Sequence, residues 1–184
     1  QPAIETHMRS HTMLVGAFFT LAFAAGAAAQ TRPDFSGRWT VAPPPQEAGR
    51  GGGTPRADMG SGWGNTITLT QSAAALTLEW VIFTRGDLQP PLTFVFPLDG
   101  SEHTNAFMMG RGTEKQISRA TWDGGKLVIT TKQSFPNLVE GQTVETVVTR
   151  TLSLESPTML VVETTRNGVL GGNASTTRTV YTKG

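Results

Sequence analysis

The chain has 184 residues, with 15 Lys and Arg against 14 Asp and Glu, for a formal net charge of +1. Near-neutrality excludes a nucleic-acid binder that works through a concentrated basic face, and the length fits one domain with a core of ordinary size. The absence of Cys removes disulfides, thiolate metal sites and cysteine nucleophiles, while 28 Thr favour strands over helices.

Arg9 and His11 precede an apolar run over 13–25, which thins into Gly26-Ala27-Ala28-Ala29-Gln30. A basic start, about a dozen apolar residues and a small-residue A-x-A site match a secretory signal peptide. Cleavage is placed after Ala29. Residues 1–29 therefore read as upstream residues plus a cleavable signal, and 30–184 as a single domain delivered to the bacterial periplasm or the exterior. A spanning helix needs ~20 predominantly apolar residues, so no stable membrane anchor is expected after cleavage. His103 is then the only histidine of the mature domain.

Residues 42–64 contain Pro43-Pro44-Pro45 and Gly51-Gly52-Gly53. Such a stretch holds neither a helix nor a central strand and reads as a long surface loop. The rest breaks into short alternating runs, at 35–41, 65–71, 76–84, 92–98, 101–108, 116–122, 126–134, 142–154, 159–166 and 174–183. No helical periodicity appears outside the signal. Strands of this length joined by tight turns predict an all-β fold, an antiparallel barrel or sandwich.

The turns set which side chains share a face. The two-residue turn Asp99-Gly100 pairs Leu98 with Ser101, placing Phe96 opposite His103, Phe94 opposite Asn105 and Leu92 opposite Phe107. A Gly124-Gly125 turn pairs Asp123 with Lys126, Trp122 with Leu127 and Ala120 with Ile129. A loop at 72–75 pairs Leu69 with Leu78 and Ile67 with Trp80. A loop at 155–158 pairs Leu154 with Met159, Leu152 with Val161 and Arg150 with Glu163. Pairing the first strand with the last would remove both exposed edges.

Phe35-Ser36-Gly37-Arg38-Trp39 resembles the G-x-W opening of lipocalins. The remainder is similar to small secreted bacterial lipocalin-like proteins. The shared features are the Gly-rich loop, Leu98-Asp99-Gly100, Ala120-Thr121-Trp122-Asp123-Gly124 and Val180-Tyr181-Thr182-Lys183. The resemblance implies a closed antiparallel meander barrel of about eight to ten strands. It also implies structural roles for Gly37 and Trp39, with a cation near the end of the last strand packed over the indole. Lys183 and Arg178 are the candidates. The long helix that follows the lipocalin barrel has no counterpart in this pattern.

The candidate chemistry is sparse. The glycines of residues 49–54 lack the Gly-Lys-Ser/Thr ending of a phosphate loop, and no Ser lies in a G-x-S-x-G elbow. One His with scattered carboxylates is a poor start for a metal site. Acid–base chemistry would need two of Glu79, Glu145 and Glu163 to converge in space. No catalytic residue, metal ligand or cofactor is assigned.

The polar groups on apolar faces carry the most information. Arg150 either pairs internally with Glu163 or receives the carboxylate or phosphate of a ligand; the internal pair satisfies both groups by itself. His103 and Asn105 fit a polar spot in a cavity or a solvated barrel mouth. Trp80, Phe94, Phe96 and Phe107 are core residues or the wall of a cavity. The expected function is non-catalytic binding of a small apolar or amphipathic molecule in the barrel mouth. The alternative is an envelope-structural or protein- or glycan-interaction module with a packed interior.

Overall fold

The structure, a computed structural model, describes residues 32–43, 60–80, 91–109, 112–136, 143–167 and 173–184. The signal-peptide reading of 1–29 and most of the 42–64 loop lie outside them. Ten strands follow in chain order: β1 (Gly37–Val41), β2 (Thr66–Gln71), β3 (Ala75–Trp80), β4 (Leu92–Pro97), β5 (Glu102–Met109), β6 (Gly112–Asp123), β7 (Lys126–Pro136), β8 (Thr143–Ser156), β9 (Met159–Arg166) and β10 (Ser175–Lys183). Among the described residues there is no helix.

The strands form one antiparallel sheet in the order β4-β3-β2-β1-β10-β9-β8-β7-β6-β5, a meander curled into a nearly closed barrel. The sequence drives this through alternation, clearest in the first strands. In β2, Ile67 and Leu69 point inward and are buried, while Thr70 faces out. In β3, Leu76 and Leu78 are buried and Glu79 is exposed. Thr on the outer face suits a pleated wall because its branched Cβ restricts χ1 in the extended backbone.

The first and last strands pair as expected, with Trp39 opposite Lys183 and Val41 opposite Tyr181. Trp39 is fully buried. Its Nε1–H donates to the Phe35 carbonyl at 2.9 Å, and Lys183 Nζ sits 5.2 Å from its ring centroid. Gly37 has a φ of +147°, and a Cβ there would run into the Lys183 stem. The glycine therefore lets the lysine cross β1 to reach the indole. Arg178, the other candidate cation, lies on the outer face and pairs with Glu155.

Two of the inferred hairpins hold in register: Ile67 with Trp80 and Leu69 with Leu78, and Ala120 with Ile129 and Trp122 with Leu127. Two others need correction. The β8–β9 turn uses only Pro157 and Thr158, so Ser156 pairs with Met159, and a bulge between Leu154 and Ser156 then shifts the register. Arg150 consequently faces Thr164, and Glu163 faces Thr151. A one-residue slip carries a side chain to the opposite face. Glu163 thus stands exposed on the outer wall, beside Arg178 of β10, and the Arg150–Glu163 pair does not exist.

The second correction concerns the β4–β5 hairpin, where Phe96 with His103, Phe94 with Asn105 and Leu92 with Phe107 are not ladder pairs. β4 and β5, joined by the Asp99-Gly100 turn, form no backbone ladder, so the barrel keeps one seam. Leu98 N–H is drawn to the Ala74 carbonyl at 2.8 Å, and the Asp99 carboxylate accepts the Ser101 N–H at 2.9 Å. The flanks of the turn are thereby committed elsewhere. The Asn105 side chain fills the gap: its Oδ1 accepts the Val95 N–H at 2.8 Å and its Nδ2 donates to the Val95 carbonyl at 3.0 Å. The carboxamide stands in for one rung of the missing ladder. Beyond it, the Phe94 and Phe107 rings meet edge to face at 5.2 Å.

The turns after β2, β4, β6 and β8 lie at one end, the hairpin end, and the connections after β1, β3, β5, β7 and β9 lie at the other. At the hairpin end the interior is filled by Phe35, Trp39, Leu76, Leu127, Leu152 and Leu160, each fully buried. Toward the opposite end the inward positions become polar, with Ser118, Thr131, Thr146, Arg150 and Thr164 buried.

Two outcomes follow from this packing. Trp39→Ala is expected to destabilise the barrel by ~3–5 kcal/mol in denaturant unfolding, the range for deleting a large buried aromatic. Asn105→Leu strands both polar groups of Val95 and is expected to cost ~1–3 kcal/mol, with faster hydrogen exchange at the Val95 amide as the local signature.

Candidate functional site

The site is built where residues 60–64 enter the barrel ahead of β2. The expectation of a surface loop fails here. Ser61 and Trp63 are 2% and 4% exposed, deep among the inward side chains. Gly62, between them, has a φ of +76°, and a Cβ on it would lie 3.0 Å from Arg150 Nη2. Only glycine suits that backbone and that approach.

This strap is tied down from three strands. Arg150 of β8 donates from Nε to the Ser61 carbonyl at 2.7 Å and lays its guanidinium over the Trp63 ring, 5.1 Å from the centroid. Arg166 of β9 donates to the Gly60 carbonyl at 2.7 Å, and Thr177 of β10 donates to the same oxygen at 3.0 Å. Tyr181 of β10 donates its hydroxyl hydrogen to the Gly64 carbonyl at 3.0 Å. Its one proton being used, Tyr181 accepts from the Ser61 hydroxyl in a short, buried bond. The Ser61 oxygen in turn accepts the Trp63 N–H at 3.1 Å.

Burial dominates the electrostatics. It pushes the Arg150 pKa down to about 10, helped by the nearby Arg166 charge and opposed by Tyr181. Arg150 therefore remains a cation at neutral pH. Burial also pushes the Tyr181 phenol up, against the Ser61 hydrogen bond and the Arg150 charge. Among the described residues the ion pairs are Arg119–Glu102 and Arg178–Glu155, both exposed, and neither involves Arg150.

Next to the strap lies a cavity of about 260 Å³. Trp80, Phe94, Phe96 and Phe107 form one wall across the seam, and Trp63 joins them by packing on Phe96 at 6.4 Å. Gln116, Thr131, Gln133 and Arg150 form the facing wall from β6, β7 and β8. A hydroxyl pair, Ser118 with Thr131 at 3.1 Å, supports that polar side. The arrangement can bury an apolar body on one side and orient a polar group on the other.

Of the side chains singled out from sequence, Trp80, Phe94, Phe96, Phe107 and Arg150 meet at this cavity. Three do not. His103 is half-buried on the inner face of β5, toward the hairpin end; Asn105 is committed to the seam; Glu163 is outside. Glu79 and Glu145 are likewise exposed, so the three glutamates do not converge. Among the described residues no group of His, Asp or Glu comes together to hold a metal ion. Sequence reasoning missed Ser61, Trp63 and Tyr181. The available signal was a Trp embedded in Gly60-Ser61-Gly62-Trp63-Gly64, a large apolar side chain in a stretch otherwise fit for solvent. Comparison with protein-family models, with curated proteins and with solved structures returned no match.

The observed register separates the two residues that the sequence had paired. Glu163→Ala is expected to change stability by less than ~0.5 kcal/mol, as for an ordinary surface site. Arg150→Met, which strands the Ser61 carbonyl, is expected to cost ~1–3 kcal/mol. The double variant should show simple additivity in denaturant unfolding.

Proposed function

We propose that this is a lipocalin-like, secreted barrel that binds a small apolar or amphipathic molecule without transforming it. The observation that carries the reading is the convergence of Trp80, Phe94, Phe96 and Phe107 on one cavity of about 260 Å³, faced by a polar wall. Aromatic side chains in a filled core interlock with one another; these line a space. Burial against them would supply most of the affinity, at ~25 cal/mol per Å² of apolar surface removed from water. The cavity lies just under the ~300–1,000 Å³ usual for drug-sized ligands. It therefore favours compact compounds over long-chain fatty acids and sterols.

The alternative, an interaction module with a packed interior, draws its support from the filled hairpin half. The long-loop half is where the two readings part. Titration of the purified protein with compact aromatic compounds, fatty acids and sterol-like compounds, followed by tryptophan fluorescence and calorimetry, tests them. The expected outcome is micromolar binding of compact aromatics with a change in Trp63 or Trp80 emission, lost in Phe94→Ala. Failure of every class would move the assignment to the interaction module.

A further inference from the structure

Arg150 presents a question that the aromatic wall does not answer. Its side chain is 8% exposed, yet it has no carboxylate within ion-pairing distance among the described residues. Its Nε is engaged by Ser61 and its flat face by Trp63. The two terminal nitrogens, Nη1 and Nη2, have no hydrogen-bond acceptor among the described residues, and the guanidinium lines the cavity. Proteins seldom leave a buried cation without a counter-charge, because desolvation is costly unless an anion offsets it. A cation serving only to hold the strap would need the Nε bond alone. The remaining edge is a planar pair of donors of the kind that grips a carboxylate with two parallel bonds.

Resting on the binding reading above, we propose that the occupant of the cavity is a compact aromatic monocarboxylate, its carboxylate held by the terminal nitrogens of Arg150 and its ring packed against Phe94, Phe96 and Trp80. The neighbouring guanidinium of Arg166 adds to the positive potential felt at Arg150. Glu114 and Lys115 also line the cavity, and their opposite charges offset one another, leaving Arg150 as the net cation of the lining. One positive charge matches a monoanion better than a phosphate dianion. Size selects the body: at interior packing density the cavity takes roughly ten to thirteen non-hydrogen atoms. A phenyl ring with a two- or three-carbon acid fits, and a sixteen-carbon chain does not.

The test uses matched probes on the purified protein at neutral pH: 3-phenylpropanoate, its neutral amide 3-phenylpropanamide, phenyl phosphate and palmitate, each by calorimetry. The expected result is that 3-phenylpropanoate binds at least tenfold more tightly than the amide and than phenyl phosphate, with palmitate weaker still. In Arg150→Met the acid and amide should bind within about threefold of each other, and in Glu114→Gln the acid should bind as tightly or more tightly. Because Arg150 also holds the strap, the acid-to-amide ratio in the unaltered protein decides the matter if Arg150→Met does not fold. Equal binding of acid and amide would overturn the carboxylate assignment while leaving the binding reading in place, and so would tighter binding of phenyl phosphate. A preference that survives in a folded Arg150→Met would place the anion elsewhere and overturn it too. If no probe binds, both readings fall together.

Discussion

The guanidinium of Arg150 enters the barrel from β8 and meets residues 60–64 coming the other way. Each supplies what the other lacks. The Ser61 carbonyl would be a buried acceptor without a donor, and Arg150 Nε a buried donor without an acceptor; joined at 2.7 Å, both are satisfied. The Trp63 ring covers the cation's flat face and brings apolar surface that fills part of the interior. Much of the open end then follows. Gly62 must lack a side chain, because the guanidinium occupies that space. Tyr181 must be a phenol rather than a phenyl ring, because its oxygen links Ser61 to Gly64. The buried cation and the strap it holds thus constrain side chains on two segments, residues 60–64 and β10.

The barrel divides along its axis into two regimes. The hairpin half is governed by apolar packing, sealed at its base by Trp39 with Lys183 across it. Its turns are short, and its interior is mostly apolar, with His103 half-buried on the inner face of β5. The other half carries the inward hydroxyls and guanidinium, and two buried hydroxyls there, Thr146 and Thr164, have no hydrogen-bond partner among the described residues. A core designed only for stability would replace such groups with Val, which has nearly the same shape and no unsatisfied oxygen. The packed half supplies the stability that allows the other half to hold groups unsuited to packing.

The strand pattern was legible because it is local. Alternation with a period of two, interrupted by Gly, Pro and Asp turns, places nearly all ten strands and two of the four hairpin registers. The aromatic wall was legible for the same reason, since Trp80, Phe94 and Phe96 fall on the apolar faces of their strands. What escaped depends on details that carry no compositional mark. The bulge after Leu154 inserts a single residue into a long, regular-looking strand and turns Glu163 outward. The loss of the β4–β5 ladder hinges on where Leu98 N–H and the Asp99 carboxylate find partners, which only the assembled hairpins decide. The strap escaped because Gly and Ser dominate it, and its polar partners come from strands about 90 to 120 residues away.

The seam and the cavity occupy the same part of the barrel, and this has a physical reason. A wall closed by continuous backbone pairing brings adjacent strands to ~4.8 Å and leaves little room for rings between them. Where the ladder is missing, one Asn105 carboxamide and the Phe94–Phe107 contact carry the join. The same two phenyl rings line the cavity, one from each side of the seam. Any molecule that filled the cavity would therefore touch both strands of the seam, where the wall has no backbone ladder. Local opening in proteins is drawn to regions poor in backbone pairing, so the seam is the weakest part of the wall. The contact that joins the seam and the wall of the cavity are thus made by the same pair of side chains.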